Sequence, residues 1–203
     1  TFIFLLLFIT DSFSRDVNSS NSYTYTSYIY KSFEGKEIET YLFEGEYVVV
    51  LIQKDQITTE QLNDNDTMQK IIDRFDKYYL YYEDFFGLTP PGGMVDFNKK
   101  TSIGFISETC GAACGLIGAK GIEIGTGFWT PIFNSHKYSF PSQIDALVPY
   151  EFGRNFFTFG GKALFPYVQN TDERNGGFAE AFANLPYTTE FVDNNENPFI
   201  PLY

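Results

Sequence analysis

The 203-residue chain is long enough for one domain with a packed core. Its 43% hydrophobic and 19% aromatic content, with 23 Phe and 15 Tyr, excludes global disorder. A net charge of −12 without any cluster of Lys or Arg excludes nucleic acid and an anionic membrane surface as partners, because both are held by cationic patches.

The chain opens on "TFIFLLLFITDSFS", an apolar run of about nine residues followed by small and polar ones. That run is too short for a stable membrane span and reads as the remnant of a secretory signal peptide over residues 1–14. A secreted, extracellular protein is therefore expected. The sequons at Asn18 and Asn65 would be glycosylation acceptors on a eukaryotic secretory route. Residues 15–57 form an N-terminal β region. Its polar lead-in becomes a strand where Tyr and Thr alternate before Tyr30, and "KEIETYLFEG" and "EYVVVLIQ" follow as a hairpin around Glu-Gly. The nearly unbroken apolar run Tyr47–Gln53 predicts a strand covered on both faces.

Residues 58–203 are expected to form an α+β domain. Apolar residues at Met68, Ile71, Ile72, Phe75, Tyr78, Tyr79, Tyr82 and Phe85 keep the three-and-four spacing of an amphipathic helix. Asp66 is its expected cap, and Gly87 its stop. "YYLYYEDFF" within it reads as core, whereas the N-terminal tyrosines fit a core or a glycan- or protein-binding face equally. Thr101–Ser107 and "GIEIGTGFW" read as short strands, Pro131 to Pro141 as an irregular segment holding His136, Gln143–Phe159 as a second helix, and Gly177–Leu185 as a third. Hairpin, long helix, strands and helices in that order suit helices packed on one mixed sheet.

Cys110 and Cys114 are the only cysteines. The small Gly-Ala-Ala between them and an oxidising compartment suit a disulfide; two metal thiols or two unpaired buried cysteines are the alternatives. The Gly-rich stretch around them lacks both phosphate-loop patterns. One His and no nucleophile elbow leave no Ser-His-Asp or Cys-His arrangement.

The stretch "VPYEFGRNFF" differs from a zinc-binding H-E-x-x-H helix by Tyr150 and Arg154 at the two His positions, with Glu151 in place. Twenty-nine residues on, "GGFAEAFA" offers Glu180. In these two pieces, and in the order of elements from Thr58 to Leu185, the chain resembles the zincin metallopeptidases of the glutamate-ligand type, with a degenerate motif. The resemblance implies a zincin-like α+β fold, a helix carrying Tyr150, Glu151 and Arg154, and Glu180 at the third-ligand position. It also implies that Gly121–Gly127, as the strand before that helix, lines a groove.

Arg is always charged and donor-only, so it cannot ligate a metal, and no zinc or other cofactor is expected. An Arg154–Glu180 ion pair, joined by Glu151, would stand in for the metal. The function so implied is non-catalytic binding of a peptide, glycan or extracellular protein in the former cleft. Two alternatives stand beside it: an active hydrolase of the same superfamily in which Glu151, Glu180 and Tyr150 act as acid, base and oxyanion donor without metal, zinc entering only if the ligand replacement is misread, and a plain extracellular interaction domain. In the last case "YEFGRNFF" is an ordinary amphipathic helix with Glu151 and Arg154 in solvent.

Overall fold

Tyr25–Lys31, Glu37–Glu44 and Val48–Gln53 form strands β1, β2 and β3, an antiparallel meander at one side of the sheet. In the computed structural model of the chain, residues 24–87, 89–90, 97–115, 121–139, 147–156, 158–159 and 162–163 are described. The reading of residues 1–14 and the third helix at 177–185 therefore lie outside the described residues. The β2–β3 turn is held by a helix residue: the Asp76 carboxylate accepts the backbone N–H groups of Glu46, Tyr47 and Val48 at 2.8–3.0 Å.

The chain then leaves the sheet. Thr58 and Gln61 make a reciprocal capping box that starts the short helix α1, Thr59–Asn63. Helix α2 follows at Asn65–Phe86 and ends on Gly87 at φ 66°, a left-handed cap that favours glycine. Its N-cap is Asp64, whose side chain accepts the Thr67 N–H, rather than Asp66. Asp66 falls in the first turn, where its charge faces the positive end of the helix dipole.

Strand β4 (Thr101–Ile106) runs parallel to β3, and β6 (Ile122–Gly125) parallel to β4. Between them in sequence, β5 (Ala113–Gly115) turns back to pair antiparallel with β6. The sheet is mixed and six-stranded, in the order β1-β2-β3-β4-β6-β5. The strand expected at the groove, within Gly121–Gly127, is thus interior, and the edge belongs to β5. A three-residue Ala-Cys-Gly strand carries no β-branched or aromatic residue, so nothing in its composition announces it.

The segment after Pro131 is not irregular. Trp129–Tyr138 is helix α3, and Pro131 stands in its first turn, where a missing N–H is tolerated. Leu147–Phe156 is helix α4, followed by the two-residue strands β7 (Thr158–Phe159) and β8 (Lys162–Ala163). The second helix thus ends before the expected Phe159.

The main core lies between one sheet face and the helices. Val48, Val50, Ile52, Ile103, Phe105, Ile122 and Ile124 meet Phe75 and Tyr78 of α2, Trp129 and Phe133 of α3, and Phe152 and Phe156 of α4. Tyr30, Leu51 and Ile106 form a smaller cluster on the opposite face. Both faces of β3 are therefore covered, as its continuous apolar run requires. Of the tyrosines in "YYLYYEDFF", Tyr78, Tyr79 and Tyr82 are buried in the main core. Among the described residues, no helix is long and apolar enough to cross a membrane.

Candidate functional site

Helix α4 carries the candidate residues, and two different faces fix it in place. One face is aromatic. Phe156 packs its ring against Tyr82 at 5.4 Å and Tyr79 at 5.6 Å, and the Tyr82 hydroxyl donates to the Pro149 carbonyl at 2.8 Å. The other face is polar and meets the strand pair β5–β6. Asn155, fully buried, accepts the Gly121 N–H through Oδ1 at 2.9 Å. One turn earlier, Glu151 lies close against Gly115, whose backbone N–H favours the charged form of its carboxyl. Residues four apart share a helix face, so Glu151 and Asn155 set α4 against the edge strand β5 and the start of its neighbour β6.

Close approach demands glycine at that edge. A Cβ on Gly115 would lie 2.5 Å from the Glu151 carbonyl oxygen and 2.7 Å from its Oε2. Gly121 has φ +116°, which side chains rarely adopt, and a Cβ there would meet Ser102 Oγ at 2.5 Å.

Glu151 is only 3% exposed. The bland expectation that it points into solvent is therefore overturned. Burial pushes its carboxyl up to about 7, opposed by the Arg154 charge and by the Gly115 N–H. Arg154 Nη1 stands 3.6 Å from Glu151 Oε2, within ion-pair range but longer than a hydrogen bond. Among the described residues, Glu151 Oε2 and Arg154 Nε have no hydrogen-bond partner. Tyr150 lies four residues before Arg154 and is half-buried like it. The pair is thus a contact of two charges with donor and acceptor capacity left over. Glu180, the expected partner of Arg154, lies outside the described residues, so Glu151 is the carboxylate the structure brings to it.

The other expectations resolve individually. Cys110 and Cys114 are disulfide-bonded, with Cα atoms 5.7 Å apart. Cys114 is buried in β5 and pairs in register with Glu123, so the bridge sits on the sheet face opposite Glu151. His136 is on α3, where its Nδ1 lies 2.9 Å from the Ile132 carbonyl of its own helix. Burial, with Arg74 and Lys70 nearby, lowers it to about 4, so the imidazole is neutral at pH 7.

Besides Glu151 and Asp76, one more acidic side chain, on the sheet, is buried. Glu123 on β6 is fully buried, accepts the Tyr30 hydroxyl at 2.8 Å and the Phe33 N–H at 2.7 Å, and is raised by burial. Its signal in the sequence is the Glu flanked by two isoleucines in "GIEIG", a charge at a strand position whose neighbours are both core. No group of three or more His, Cys, Asp or Glu among the described residues is placed to hold a metal ion. No protein-family model, curated protein or solved structure matches the chain.

Proposed function

We propose that the chain is a secreted protein with a zincin-like architecture, in which a charge pair replaces the metal site, and that it binds a peptide, glycan or extracellular protein without catalysis beside α4 and the edge strand β5. The observation that carries this reading is the contact between Arg154 and Glu151. A fixed cation stands 3.6 Å from the acid of the motif, at a position where the resemblance calls for a zinc ligand. Two further features support it. The mixed sheet ends in an antiparallel edge strand, and α4 runs directly against that strand.

The residues present do not fit zinc. Arg154 has no lone pair to offer, and Tyr150 would bring a phenol whose ordinary titration lies well above neutral pH. Elemental analysis of purified protein tests the reading: less than about one-tenth equivalent of zinc is expected, and stoichiometric zinc overturns it.

One observation favours a second reading, a metal-free hydrolase. Glu151 is held at about 7, where a carboxyl exchanges protons most usefully at neutral pH. Peptidase activity in the wild-type protein that disappears in Glu151→Gln would move the conclusion to an enzyme. Absence of turnover in both proteins supports the binding role.

A further inference from the structure

We propose that β1 is a self-association edge, through which two copies of this chain pair antiparallel, β1 against β1, to continue one sheet across a dimer. This inference is independent of the α4 site. β1 is terminal in the sheet, and among the described residues no strand pairs its outer edge. Sheet edges are ordinarily guarded by brevity, proline, bulges or charge. The seven residues Tyr25–Lys31, "YTSYIYK", use almost none of these: the strand pairs with β2 in unbroken register, contains no proline, and carries one charge at its end. It also contains no acidic residue in a chain of net charge −12.

The strand presents apolar surface as well as backbone. Ile29 is 62% exposed and Tyr25 41%, and both lie on the face shared with Tyr41 and Phe43. Interface cores are depleted of charge and enriched in tyrosine, and this strand has both properties.

The occupant is a second copy because the sequence is self-complementary. Antiparallel pairing centred on Tyr28 matches all seven residues: Tyr28 with Tyr28, Ser27 with Ile29, Thr26 with Tyr30, and Tyr25 with Lys31. Each Ile29 is then covered beside a small Ser27. The two Lys31 ammonium groups are kept at opposite ends of the ladder, each over a Tyr25 ring. No like charges oppose one another. Seven residue pairs span about 23 Å, a ladder smaller than the ~1,200 Å² of a standard interface, so a concentration-dependent dimer with a dissociation constant of about 10 μM or weaker is expected.

Sedimentation equilibrium of the full chain across a concentration series tests association. A reversible monomer–dimer equilibrium is expected, and Ile29→Lys should raise its dissociation constant at least tenfold without altering the far-UV spectrum. Register is tested by oxidative cross-linking. Tyr28→Cys places like residues opposite each other and should yield a covalent dimer. Thr26→Cys faces Tyr30 of the other copy and should not. A chain that is monomeric throughout, association indifferent to Ile29→Lys, growth beyond dimers, or equal cross-linking at positions 26 and 28 overturns the proposal.

Discussion

Replacing Glu151 by Gln should flatten part of the dependence of stability on pH. The carboxyl titrates at about 7 in the fold and at 4.5 when freely solvated. The unfolded chain therefore releases this proton first as pH rises. The group's contribution to stability is fully present below 4.5, falls between 4.5 and 7, and is lost above 7. A difference of this size corresponds to about 3 kcal/mol between pH 4 and pH 8, an upper value because a buried site relaxes and admits water as it ionises. Gln preserves the volume and an acceptor for the Gly115 N–H, but sets an amide beside Arg154. The absolute stability of the variant is thus secondary to the shape of its profile.

Urea denaturation of both proteins at half-unit steps from pH 4 to pH 8.5 isolates the effect. Asp76 and Glu123, also raised by burial, act equally in each protein and cancel in the difference. Relative to wild type, Glu151→Gln should gain about 2–3 kcal/mol on going from pH 4 to pH 8, or about 4–12 °C in Tm for a chain of this size. Parallel profiles would refute the argument. They would mean that Arg154 and Gly115 keep Glu151 ionised throughout, in spite of its burial.

Three further perturbations follow from the same contacts. Gly115→Ala should lose about 2–3 kcal/mol in thermal unfolding, because the new methyl meets the Glu151 backbone; a loss under 0.5 kcal/mol would show that α4 is not seated against β5. Asp76→Ala should lose roughly 3 kcal/mol and accelerate hydrogen exchange at Glu46, Tyr47 and Val48, whose N–H groups it leaves without their acceptor. Unchanged exchange at those amides would contradict its role as the clasp of the β2–β3 turn. Replacing Cys110 and Cys114 together by Ser should lower stability by about 2 kcal/mol, the chain-entropy value for so short a loop, measured by denaturant midpoint.

The elements legible in the sequence are those whose pattern repeats over enough residues to average out exceptions. The α2 face from Met68 to Tyr82 is spaced for a helix over four turns, and the β3 run is apolar at every position because both of its faces are covered. Short or interrupted elements were harder. Pro131 suggested irregular chain because proline breaks helices in their interior, but it stands in the first turn of α3. The α1 start was readable in principle, since Thr58 and Gln61 have the spacing of a capping box. The α2 cap is ambiguous in sequence because "NDND" offers two equivalent acids, and only the turn geometry selects Asp64 over Asp66. β5 left no pattern at all; it exists because its backbone pairs with β6, a contact between residues that no local window contains.

What the sequence could not decide about α4 was which side each charge faces, and that question separates a chance likeness from a remodelled site. An ordinary amphipathic helix turns its charges to water, where a Glu–Arg pair three residues apart contributes a few tenths of a kcal/mol. Here the acid is 3% exposed under a strand that has no room for a side chain. Burying a carboxylate costs several kcal/mol unless it is compensated, and the compensation present is one backbone N–H and one guanidinium at 3.6 Å. Asn155 satisfies the same edge from the same helix face at no electrostatic cost, so packing alone does not call for an acid at position 151. A neutral Gln would dock α4 as well. At position 151 burial favours the neutral carboxyl and the Arg154 guanidinium the charged one, and the two opposing effects leave the group titrating at about 7.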